Sequence, residues 1–171
     1  RYWTWKIAPS TGAQIQEIDG GASNSAPYVE ATLRAALTES AQVRAFLRYG
    51  LEDRNRLIWA HDCWQVPVLA RYEERQTFRL GLQGSYVVSP KLTFFGGVNV
   101  MMFNYDGQIG PDPAAPGSLD EKIVNFNAGA SYEVADNIFV TGSYNFTKSS
   151  ADADIRDYDR SRVQFGLQSS F

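Results

Sequence analysis

The sequence predicts an all-β fold, an antiparallel up-and-down barrel of long strands forming a single domain over residues 1–171. Three observations predict it. Apolar and polar side chains alternate with a period of two over most of the chain, which is the repeat of a β-strand. No window carries a helical repeat of comparable quality. The connections run short, long, short, long, as in a meander whose longer loops share one side.

The elements follow in order. Arg1 to Ile18 counts as one strand, although Pro9-Ser10-Thr11-Gly12 reads as a turn that would split it into Arg1–Ala8 and Ala13–Ile18. Next, Ala31, Leu33, Ala35 and Leu37 oppose Glu30, Thr32 and Arg34. From Ala41 to Glu52, Val43, Ala45, Leu47, Tyr49 and Leu51 oppose Arg44, Arg48 and Gly50, with Phe46 interrupting the polar side. From Gln76 to Ser89, Phe78, Leu80, Leu82, Gly84, Tyr86 and Val88 oppose Thr77, Arg79, Gly81, Gln83 and Ser85. Lys91 to Tyr105 is apolar on both sides, so its phase is open.

Lys122 to Val134 places Val124, Phe126, Ala128, Ala130, Tyr132 and Val134 against Asn125, Asn127, Gly129, Ser131 and Glu133. Asn137 to Ser149 places Ile138, Val140, Gly142, Tyr144 and Phe146 against Thr141, Ser143, Asn145 and Thr147. The last segment sets Val163, Phe165, Leu167 and Phe171 against Arg162, Gln164, Gly166, Gln168 and Ser170. Glu39-Ser40, Ser89-Pro90 and Ala135-Asp136-Asn137 are the tight turns; Asp19 to Pro27, Asp53 to Arg75, Asp106 to Glu121 and Ser150 to Asp159 are the long loops. The first segment decides between eight strands, the smallest closed membrane barrel, and nine, an odd number for a bacterial barrel made of one chain.

Composition narrows the function. With 44% hydrophobic residues in 171, the chain is neither disordered nor fibrous. No apolar run approaches the roughly 18 residues of a membrane helix; the hardest, Leu92 to Phe103, is broken by Thr93, Gly96, Gly97 and Asn99. Sixteen Lys and Arg against 19 Asp and Glu give a net charge of −3, which argues against a nucleic-acid partner. One His and one Cys leave most metal and thiol chemistries without ligands. The chain starts at Arg1 without an initiator Met or a signal segment, and is expected to be a processed secreted chain or a piece of a longer one.

The faces place the barrel in a membrane. Segments of about 11 to 14 residues exceed the usual 5 or 6 of soluble strands. At roughly 3.3 Å per residue and about 40° tilt, 11 residues span on the order of 28 Å, enough for an outer-membrane apolar band of roughly 25 Å. The polar side carries Arg, Asn, Gln, Ser and Gly but almost no Lys, unlike the water-facing side of a soluble barrel. Aromatics gather near segment ends, with Tyr86, Phe94, Tyr132 and Phe171 toward the short turns and Tyr49, Phe78, Phe126 and Phe146 toward the long loops. Two such rings suit two membrane–water interfaces.

The run Asp157-Tyr158-Asp159-Arg160-Ser161-Arg162-Val163-Gln164-Phe165-Gly166-Leu167-Gln168-Ser169-Ser170-Phe171 resembles the last strand of a Gram-negative outer-membrane β-barrel. With Thr141 to Ser150 before it, it is similar to the closing hairpin of the β-barrel porins of the second type, over about the last 50 residues. The resemblance implies an outer-membrane location and insertion by the barrel assembly machinery. Val163, Phe165, Leu167 and Phe171 would be its signal. It also implies that the chain is the C-terminal part of a larger barrel.

The lumen-lining candidates are Glu30, Arg34, Arg44, Arg48, Arg79, Gln83, Asn125, Asn127, Glu133, Arg162 and Gln164, with Glu30 and Glu133 as counter-charges. In a wide barrel the arginines line a water-filled path and favour anions; in an eight-stranded one they pair with the acids and fill it. His61-Asp62-Cys63 lacks the partners of a four-ligand metal site. Asp152, Asp154, Asp157 and Asp159 lack the Gly and closing Glu of a calcium loop. Asn145-Phe146-Thr147 is a glycosylation acceptor only in form, because it lies within a strand. Leu57 to Ala60 and Val66 to Ala70 are apolar for a loop; strand extension is the leading reading, and a constriction folded into the pore or a partner contact are the alternatives. No nucleophile, base and acid converge, so no enzyme and no cofactor are expected.

The expected function is passive diffusion of small polar solutes through an outer-membrane porin. The alternative is a non-conducting small barrel acting as a structural envelope protein or adhesin through its extracellular loops. Expected partners are outer-membrane lipid and lipopolysaccharide, the assembly machinery and, for a porin, further copies of the chain.

Overall fold

The computed structural model describes residues 4–17, 23–51, 58–61, 64, 66–111, 118–152 and 157–169. Its strands are β1 (Thr4–Glu17), β2 (Ser23–Ala36), β3 (Ala41–Leu51), β4 (Ile58–His61), β5 (Pro67–Ser89), β6 (Leu92–Pro111), β7 (Leu119–Ala135), β8 (Ile138–Ala151) and β9 (Tyr158–Ser169). Eight of them form one antiparallel sheet in the order β1-β2-β3-β5-β6-β7-β8-β9, and the short β4 pairs with β5. The described residues contain no helix. The sheet is open: β1 hydrogen-bonds only to β2, and β9 only to β8.

Three expectations change. Pro9 to Gly12 is no turn, because β1 runs straight through it with Pro9 opposite Ala31. β1 is an edge strand, the place where a sheet tolerates a residue without an N–H. The path therefore holds eight strands, and the splitting that would give nine is absent. The stretch from 53 to 75 is largely strand from Pro67 onward, which makes β5 23 residues long. β6 continues to Pro111 and β7 starts at Leu119, so that loop also shrinks.

Register settles the open phase of β6. Phe94, Gly96, Val98, Val100 and Met102 share the face of Tyr86, Gly84, Leu82, Leu80 and Phe78, whereas Phe95, Gly97, Asn99, Met101 and Phe103 lie on the other. One face is thus apolar across all eight strands, from Trp5 and Ile7 on β1 to Val163, Phe165 and Leu167 on β9. It is also uncovered: Ile7 is 70% exposed, Leu82 50% and Phe165 83%. A patch of that extent is well above what water-facing protein surfaces carry.

The apolar band runs obliquely to the hydrogen-bonded rows. Its upper edge on β3 is Tyr49, since the next residue of that phase, Leu51, is buried; the Tyr49 row continues through Phe78, Met102 and Lys122 to Ser150. On β8 the edge is Phe146, four residues lower (150 − 146). The lower edge moves equally: the row of Ala41 reaches Gly142, but the band on β8 continues to Ile138 (142 − 138). From β3 to β8 is four steps across the sheet, so the shift is one residue per strand. At ~3.3 Å per residue and ~4.8 Å between strands, that is a slope of about 35°. Phe126 and Phe146 consequently share the row of Leu82, Val98 and Ala45 and do not form an upper ring on every strand.

The tight turns are Leu37 to Ser40, Pro90-Lys91 and Asp136-Asn137, all at one end of the sheet. Asn137 has φ of 62° and follows a register shift between Glu133 and Ala135. This left-handed position after a bulge suits Asn better than any β-branched residue. The buried core lies at the opposite end. Ala60, Val68, Ala70 and Tyr72 of β4 and β5 pack with Phe103, Tyr105 and Leu119, which share the phase of the polar face.

Candidate functional site

The polar face is best read as rows across the strands. One row runs Lys6, Arg34, Arg44, Gln83, Gly97, Asn127, Asn145, Arg162. The row toward the long loops runs Ala8, Thr32, Phe46, Gly81, Asn99, Asn125, Thr147, Arg160. The row toward the short turns runs Thr4, Ala36, Gln42, Ser85, Phe95, Gly129, Ser143, Gln164. These three adjacent rows carry Lys6, Arg34, Arg44, Arg160 and Arg162 and no carboxylate. Cations directly opposite one another destabilise a sheet, so Lys6–Arg34–Arg44 breaks a local rule, as functional sites do.

Glu30 and Glu133 do not relieve it. Glu30 stands opposite Arg48 in the next row up, where it accepts a hydrogen bond from the Tyr28 hydroxyl. The Arg48 guanidinium lies 5.7 Å from the Tyr28 ring centroid. Glu133 keeps the phase of the polar face on β7 and stands beside the hairpin turn, where its carboxylate accepts the Asn137 N–H at 3.1 Å. Arg79 stands opposite Arg48 on β5.

Phe46, the apolar interruption on this face, lies over Gly81. A Cβ at Gly81 would fall 2.3 Å from the ring, and the Arg44 guanidinium sits 5.8 Å from its centroid. Glycine there makes room for the Phe46 ring over the β5 backbone, beside Arg44. Gly97 has a similar use. A Cβ on it would meet the Leu82 backbone oxygen at 2.7 Å, Gln83 Cγ at 3.0 Å and Asn127 Oδ1 at 3.1 Å, so glycine leaves room for the side chains on both neighbouring strands.

Two hollows adjoin at Gln83. One, of about 670 Å³, is bounded by Lys6, Arg34, Gln42 and Arg44; the other, of about 410 Å³, by Asn99, Asn125, Asn127, Asn145, Thr147, Arg160, Arg162 and Gln164. Side chains in the second hold one another. Thr147 Oγ1 donates to Asn125 Oδ1 at 2.7 Å, and Asn145 Nδ2 donates to Gln164 Oε1 at 3.0 Å. The sequence placed Arg34, Arg44, Gln83, Asn125, Asn127, Arg162 and Gln164 on one face, and the sheet brings them into this trough.

The long-loop end of this face is packed with buried side chains. Arg75, Thr77, Glu121 and Ser149 are buried there. The Arg75 guanidinium lies 3.9 Å from the Phe103 ring centroid, and Glu121 accepts from Tyr105 at 3.2 Å and Ser149 at 3.3 Å. The strand extension expected from Val66 to Ala70 leads to this end, since the alternation of Val66, Val68, Ala70 and Tyr72 continues the strand period and β5 starts at Pro67, while the polar residues buried against it carried no separate signal.

Of the assembly residues, Val163, Phe165 and Leu167 share the apolar face, while Phe171 lies outside the described residues. Asp62, Cys63 and Asp154 also lie outside them. Among the described residues no group of three His, Cys, Asp or Glu is placed to hold a metal ion. Comparison with protein-family models, curated proteins and solved structures gave no match.

Proposed function

We propose that these strands form part of the wall of an outer-membrane β-barrel porin, with the apolar face against lipid and the polar face toward a water-filled, anion-favouring lumen. The oblique band supports the barrel. A band level with the membrane crosses tilted strands at their tilt angle, and a slope of about 35° lies within the 35–45° of membrane barrels. The unpaired edges of β1 and β9 are closed in this reading by further strands. An eight-stranded barrel would fill with its own side chains, whereas the polar face here carries two adjoining hollows.

The observation that carries conduction is the set of three rows with cations and no carboxylate. Solutes pass by size and by the field of Lys6, Arg34 and Arg44, with no chemical step. The buried cluster of β4 and β5 narrows the long-loop end. A second reading rests on the even strand count: β1 closes on β9, the lumen is filled, and the loops serve as an envelope or adhesive surface.

The test is the reversal potential of the reconstituted full-length protein under a KCl gradient. The expected result is chloride selectivity that inverts to potassium selectivity in Arg34→Glu/Arg44→Glu. An unchanged reversal potential in the double variant would remove the role assigned to the row.

A further inference from the structure

We propose that the hollow between β6 and β9 on the polar face is a binding subsite for a polyhydroxylated monocarboxylate of monosaccharide size, such as a sugar acid. The inference rests on the porin reading and names the solute class of that same face. Two chemistries meet there. Arg160 and Arg162, two residues apart on β9 and on one face, present guanidinium groups with no carboxylate among the lining residues. A guanidinium fork matches a carboxylate in geometry and charge.

On the other side stand Asn99, Asn125 and Asn127, which supply donors and acceptors in alternation. Asn99 Oδ1 is buried without a hydrogen-bond partner. A buried acceptor left unpaired is costly. A ligand hydroxyl would satisfy it, and a second carboxylate would be repelled by it. The row Asn99, Asn125, Thr147, Arg160 spans three strand intervals, about 14 Å between backbones at ~4.8 Å each, and side chains fill part of that width. A sugar ring bridges what is left. Of the lining residues, the aromatics Phe126 and Phe146 belong by register to the apolar face, so no aromatic of the polar face is there to stack a flat ring.

The experiment titrates the full-length protein in detergent with galacturonate, galactose and inorganic phosphate by calorimetry, and separately measures galacturonate block of its KCl current. The expected result is galacturonate binding at least tenfold tighter than galactose and phosphate, with a matching block of current. Arg162→Gln should weaken galacturonate at least tenfold and leave galactose unchanged. Asn145→Asp, which puts a carboxylate opposite Arg162, should do the same if Arg162→Gln fails to fold. Equal affinity for galactose, phosphate competing as well as galacturonate, indifference to both variants, or no binding by a protein that conducts would each overturn the subsite. Binding of galacturonate by a protein that never conducts would overturn the porin reading alone.

Discussion

An arginine in place of Leu82 is expected to destabilise the folded protein in a bilayer by about 2–4 kcal/mol, whereas an arginine in place of Gln83, directly opposite Arg44, is expected to cost only about 0.2–1 kcal/mol through like-charge pairing. Leu82 is half exposed and lies midway along the outward residues of β5, between Phe78 and Tyr86. Its row neighbours are Ala45, Val98 and Phe126. In water, charging such an exposed position changes stability by about ±0.5 kcal/mol. Against lipid it requires burying a cation near the midplane. Gln83 faces the other way, into the polar trough, where a further cation meets water. Denaturant unfolding from phosphatidylcholine vesicles measures both. A Leu82→Arg protein as stable as the parent would mean that this face does not meet lipid.

Gly129→Val is expected to lower stability by about 1–3 kcal/mol through overpacking. A Cβ at Gly129 would stand 2.6 Å from the Gly142 carbonyl oxygen and 2.6 Å from Phe95 Cζ. The ring can swing away, but the oxygen is backbone of the neighbouring strand and moves only with the sheet. Phe95→Ala should therefore recover only part of the loss in the double variant. Gly12→Ala is the control, since a Cβ there has open space around it. Thermal unfolding followed by the gel mobility of unheated samples reads the series; full rescue by Phe95→Ala would show that the backbone contact yields.

Strand alternation was legible where one face is apolar and the other polar, because a period of two then assigns both faces at once. It was ambiguous on β6, where Phe94, Phe95, Val98, Val100, Met101 and Met102 supply apolar groups to both. Only pairing with β5 and β7 decides that phase, and pairing is a long-range property. Pro9 and Gly12 misled because turn propensity is local, and an edge strand spares proline the ladder bond it lacks. Alternation alone gathers Arg34, Arg44, Arg48, Arg79 and Arg162 on one face, and the register of the sheet has them there. Their alignment as Lys6–Arg34–Arg44 depends on the registers of β1, β2 and β3, which turn positions alone do not supply. The same holds for Glu133: alternation gives its face, but only the hairpin's geometry gives its hydrogen bond from the Asn137 N–H.

The central claim is that the polar face lines a water-filled conduit. The most direct measurement is single-channel conductance in a planar bilayer, using the full-length protein purified from the host's membrane fraction with its intact mass determined. The account predicts stable conductance steps from a species heavier than 19.1 kDa, in which further strands complete the wall. A folded, membrane-inserted species of 19.1 kDa that passes no current would contradict it.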